Sequence, residues 1–149
     1  MNGFQDPRSV LGREIRLEQI PAEMEALREK FEADIEALEA ARDKKIQQER
    51  NKAVAELAPV EEAIERNKLA WRSVMASGTG LDNLEEMGRV ITEEQELEER
   101  RDEIIAAFNE KRVELIVECQ NAIRAIAVDF EHTNDLLAEE QLRFQDADM

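Results

Sequence analysis

From Met24 to Met75 the apolar positions recur in steps of three, four and four residues: Met24, Leu27, Phe31, Ile35 and Leu38, then Ile46, Ala53, Leu57, Val60, Ile64, Trp71 and Met75, with Arg42, Glu49 and Lys68 filling the remaining places. That is an eleven-residue repeat of about 3.67 residues per turn, so the stripe runs nearly straight, or slightly right-handed, along one helix. An ordinary amphipathic helix meets the same template more loosely, and either reading predicts one long arm from Pro21 to Ser77.

A second arm is predicted from Thr92 to Gln141. Thr92 and Gln95 match a capping box, and Glu93 and Glu94 suit the positive end of a helix. Ile105, Phe108, Arg112, Leu115, Cys119, Ala122 and Ile126 then alternate at three and four as a heptad-like stripe. Between the arms, Ser77-Gly78-Thr79-Gly80 is the cluster able to reverse the chain. Leu81 to Arg89 is read as a short helical piece, with a local break at Gly88, so the turn region spans 77–91.

Before the arms, Asp6-Pro7 is a helix start, and a short first helix from Pro7 to Gln19 carries Val10, Leu11 and Ile15, weakened by Gly12. Pro59 removes a donor from the first arm; a continuous arm kinked near Glu56 is expected, because Leu57, Val60 and Ile64 keep the stripe in phase, and the alternative is a break with a restart at Pro59 supported by Glu61 and Glu62. The expectation is an all-α, elongated antiparallel helical hairpin, coiled-coil-like, with an N-terminal helical appendage at 1–20, the hairpin at 21–141 and an acidic tail at 142–149.

A two-helix seam needs only a narrow stripe, and the second arm offers more. Val113, Ile116, Val117, Ile123 and Phe130 widen its apolar face beyond what one partner helix covers. Either the first helix folds back over it or a second copy of the chain completes it by oligomerisation.

Composition sharpens this picture. The chain is 42% apolar and 38% charged, the balance of a folded, charge-laced helical protein, and at 4% aromatic it has few large rings for a thick core. Its net charge of −16 is unevenly placed. Met1 to Ala76 holds 16 acids and 13 bases, a net of −3; Ser77 to Met149 holds 20 acids and 7 bases, a net of −13. The second half therefore repels nucleic acid and anionic membrane and attracts basic surfaces.

No catalytic constellation, cofactor motif or metal box is legible. His132 is the only histidine, and Asp129-x-x-His132 lacks the second such pair that a carboxylate-bridged metal bundle requires. Cys119, the only cysteine, sits among Leu115, Ala122 and Ile126 and reads as a small buried hydrophobe, which also excludes an intrachain disulfide. Gly78-Thr79-Gly80 lacks the lysine of a phosphate loop. Trp71 with Arg66, Lys68 and Arg72 forms a small basic-aromatic patch, though Trp71 also fits the stripe. No window is a membrane span, and the first residues carry no export signal, so a cytoplasmic protein is expected, with virion association as the alternative site of action.

Acids recur at four-residue spacing with like sign, above all Glu94, Glu98 and Asp102, then Glu110, Glu114 and Glu118. Each such pair costs a helix a few tenths of a kcal/mol (~0.2–0.5), so the rows serve either solubility or a partner. The chain is thus expected to be a non-enzymatic protein–protein interaction module, a homo-oligomeric structural or adaptor protein. The alternative is an acidic, nucleic-acid-mimicking inhibitor of a DNA- or RNA-binding protein, of the kind a phage or mobile element encodes.

Overall fold

The computed structural model of the chain describes residues 10–77 and 81–147. Two long helices, α1 (Val10–Ala76) and α2 (Leu81–Ala147), pack against each other as a hairpin. Unit 1 comprises Met1–Arg42 with Val117–Met149, and unit 2 comprises Asp43–Ile116.

The helices are longer and less interrupted than the sequence predicts. No separate first helix exists over the described part of 7–19: α1 runs unbroken from Val10 through Pro21 and Pro59. A proline inside a helix costs about 3 kcal/mol through its lost donor and its clash with the preceding turn. Packing offsets that penalty at both places. Ile20 is fully buried beside Pro21, and Leu57, Val60 and Ile64 stay on the covered side of α1 across Pro59. Likewise Leu81 to Arg89 is the first part of α2 rather than a piece of the turn, and Gly88 lies in the helix interior, where Thr92 Oγ1 donates to its carbonyl at 2.9 Å. The tail from Leu142 to Ala147 is helical too. The Asp6-Pro7 start, the Gly78 to Gly80 segment, Asp148 and Met149 lie outside the described residues.

At its end α1 is closed by Ser77, whose N–H donates to the Ser73 carbonyl at 3.1 Å and whose hydroxyl donates to the Val74 carbonyl at 3.0 Å. Two carbonyls that a helix terminus leaves without partners are thereby satisfied.

The seam follows the eleven-residue stripe closely from Met24 to Ile64, with Arg42 and Glu49 half-buried in their places on it. Beyond Ile64 the phase slips. The covered positions become Asn67, Trp71 and Val74, a heptad continuation, while Lys68 and Met75 turn outward. On α2 the seam runs through Met87, Val90, Glu94, Leu97, Arg101, Ile104 and Phe108, so Ile104 is buried where the sequence pattern favoured Ile105, and Arg112 is exposed. Leu115 and Cys119 are buried as expected.

Candidate functional site

Beside its buried Ile20 and Cys119, unit 1 carries two specific side-chain contacts across the helices among the described residues. Arg16 on α1 reaches Glu140 on α2 in a two-pronged pair, Nε to Oε1 at 2.6 Å and an outer nitrogen to Oε2 at 2.8 Å, and its other outer nitrogen donates to Glu23 at 2.7 Å. The planar guanidinium fits the carboxylate edge, which makes this geometry directional as well as charged. Hydrogen bonding to Glu140, then to Glu23, raises the Arg16 pKa above its ordinary value, and hydrogen bonding from Arg16 holds the Glu140 carboxyl below its usual range. Further along, the rings of Phe31 and Phe130 stack with centroids 4.5 Å apart and planes 11° from parallel. Beside them lies an open cleft of about 290 Å³ lined by Leu27, Lys30, Asp34, Ile126, Asp129 and Thr133.

Unit 2 has an aliphatic seam with one buried polar residue. Asn67 is 6% exposed, and its Nδ2 donates to the Val90 backbone carbonyl at 2.9 Å, across the two helices. A buried amide with a specific partner penalises any sliding that would strand it, so it fixes how α1 and α2 are aligned here. Next to it a groove of about 510 Å³ is lined by Ala63, Arg66, Asn67 and Ala70 from α1 and by Arg89, Glu93, Glu96 and Leu97 from α2. Arg89 is engaged there, donating to both Glu86 and Glu93.

The residues singled out for association fall in different settings. In unit 2, Val113 is exposed and Ile116 half-buried; in unit 1, Val117 is exposed, Ile123 half-buried and Phe130 half-buried in the stack on Phe31. Among the acids, Glu94 is half-buried, and Glu98, Asp102, Glu110, Glu114 and Glu118 are exposed. Asp102 lies 3.5 Å from Arg101 and Glu114 lies 3.6 Å from Lys111, whereas Glu94, Glu98, Glu110 and Glu118 make no ion pair among the described residues.

The sequence pattern missed a second row on α2. Leu84, Ile91 and Ile105 are exposed, and the seven-residue steps that join them through Glu98 are its signal. Met75 and Val54 of α1 are exposed as well.

Among the described residues, no three or more His, Cys, Asp or Glu side chains converge as metal ligands would. His132 is exposed and Cys119 is a buried free thiol. No helix of the described residues is long and apolar enough to cross a membrane. No family model, curated protein or solved structure matches the chain.

Proposed function

We propose that the chain is a non-enzymatic helical protein–protein interaction module that assembles with copies of itself as a structural or adaptor protein. The observation that carries this reading is the amount of large aliphatic side chain left in water on α2. In unit 2 alone, Leu84, Ile91, Ile105 and Val113 are exposed on that helix. Solvating such groups costs about 25 cal/mol per Å² of apolar surface, and packing another helix over them recovers it.

Sedimentation equilibrium of the full chain tests this reading. A dimer or larger species is expected on the order of 10 µM, and a monomer persisting to ~1 mM overturns it.

A second reading rests on the acids that lack a partner. Glu98 and Glu110 in unit 2 present charge that no neighbour neutralises, which supports docking on the basic, nucleic-acid-binding surface of another protein. Under that reading, the chain binds such a protein in a strongly salt-sensitive manner, and Glu98→Lys with Glu110→Lys abolishes binding while leaving helical circular dichroism intact. Binding that survives both treatments removes it.

A further inference from the structure

The two flanks of unit 2, on either side of its seam, are chemically different. One is the groove beside Asn67, made of alanines and charges: Ala63, Arg66, Ala70, Arg89, Glu93 and Glu96. The antiparallel alignment set by Asn67 on Val90, and by the residues that share this groove, also orders the opposite flank. There the positions next outward from the seam come level in pairs: Met75 with Leu84, Lys68 with Ile91, Glu61 with Glu98, and Val54 with Ile105. The five apolar members, Met75, Leu84, Ile91, Val54 and Ile105, are each between 41% and 63% exposed.

The charges on this flank are arranged in steps. Glu61 and Glu98 lie level with each other, two carboxylates outside any ion pair; Lys68, the base seven residues along the same flank of α1, is paired to Glu65. On the far side of Val54 and Ile105 come Arg50 and Arg112. Glu61, Glu98, Arg50 and Arg112 make no ion pair among the described residues. On α2 the spacing is symmetric, since Glu98 and Arg112 stand seven residues either side of Ile105, about 10 Å each way at the helical rise.

We infer that the stretch of this flank from Arg50 to Glu61 and from Glu98 to Arg112 is the contact between two copies of the chain, which lie antiparallel about a two-fold axis passing beside Ile105. The inference rests on the self-association reading and specifies its face. A two-fold axis at Ile105 places the Glu61 and Glu98 step of one copy on the Arg50 and Arg112 step of the other, and the reverse contact follows by symmetry. A uniformly basic partner would satisfy the carboxylates and leave the arginines facing like charge, and an acidic partner would do the opposite. A second copy satisfies both steps at once, with the Val54 and Ile105 side chains meeting their own counterparts at the centre.

The test uses the full chain. Glu98→Arg alone and Arg112→Glu alone are each expected to weaken the dimer about tenfold or more in sedimentation equilibrium, and the double swap to restore it to within about threefold of wild type. Independently, Ile105→Cys in a Cys119→Ala background is expected to yield a disulfide-linked dimer on mild oxidation, because only a residue at the axis meets itself. Circular dichroism confirms that each variant remains helical, as these exposed positions allow. A wild-type monomer overturns both this inference and the self-association reading. A wild-type dimer that tolerates both single charge reversals, and whose Ile105→Cys variant does not cross-link, overturns the two-fold contact alone.

Discussion

Unit 1 and unit 2 close the same two helices with different chemistry. In unit 1 the cross-helix fastenings are a guanidinium held by two carboxylates and a stacked pair of rings. In unit 2 the fastening is an aliphatic seam with a single buried amide. Charge separates them too. Each unit's sequence contains 18 acids, but unit 1 has 8 bases and unit 2 has 12, giving −10 and −6. The cross-helix ion pair thus lies in the more acidic unit and the buried amide in the one whose flank is left apolar, while both units bury aliphatic side chains, Ile20 in unit 1 and Ile104 in unit 2. The difference implies that pH acts on the cross-helix contacts of unit 1 more than on those of unit 2.

The strongest way to break this contrast is to empty the unit 2 seam. Ile104 is 4% exposed, and Ile104→Ala is expected to cost about 3 kcal/mol in denaturant unfolding, the sum of lost transfer energy and a cavity. A loss below about 1 kcal/mol would mean that the seam collapses around the gap and does not carry unit 2.

Asn67→Asp comes next. It replaces the donor to Val90 with a carboxylate, so about 2 kcal/mol should be lost at neutral pH and partly regained in acid, where the buried carboxyl protonates. Thermal melts of wild type and variant at both pH values check this, and a pH-independent difference would rule out a buried charge as the cause.

In unit 1 the expected effect is smaller and also fades in acid, but for another reason: the wild type loses its pair there, whereas in Asn67→Asp the variant regains stability. Because Arg16 lowers the Glu140 pKa, the stabilisation from this pair is fully present above the ordinary carboxylate range and is lost as pH falls through the lowered value. Glu140→Gln is therefore expected to cost about 1 kcal/mol at pH 7 and nearly nothing in strong acid, since the two side chains are only about three-quarters covered. A deficit that persists undiminished in acid would show that the pair acts through packing rather than charge.

A change of similar size, and independent of pH, is expected for Phe31→Leu, which keeps most of the apolar bulk and loses the ring stack, worth about 0.5–1.5 kcal/mol. Phe130→Leu should cost the same, and the double variant no more than either alone plus the lost area.

The paired helices were legible in the sequence because a three-to-four spacing sustained over so many residues has few other solutions. The flank was not, and the reason is one residue of phase. The eleven-residue template steps from Ile64 to Lys68, Trp71 and Met75; the structure instead buries Asn67 and Val74. A shift of one residue rotates a helix position by about 100°, enough to move Met75 from the seam to the flank. The same slip exchanged Ile104 for Ile105. Helix breaks before Pro21 and at Gly88 were expected from local propensity, which packing overrides, whereas the continuity of α1 across Pro59 was legible because Leu57, Val60 and Ile64 keep the stripe in phase. The Arg16 and Glu140 pair could not be read at all, since two charges 124 positions apart in a chain rich in both signs have no local signature.

Sequence separation also governs how quickly each contact can be found. The Asn67 bond to Val90 closes a span of 23 residues, whereas the Arg16 bond to Glu140 closes one of 124. Searching the longer span from an open chain costs about 1.5 kcal/mol more in closure entropy. The chain should therefore fold as a zipper that starts beside Ser77 and runs outward, each closed layer shortening the search for the next. Substitutions at Val74 or Val90 should slow folding, and those at Ile20 or Arg16 should mainly speed unfolding.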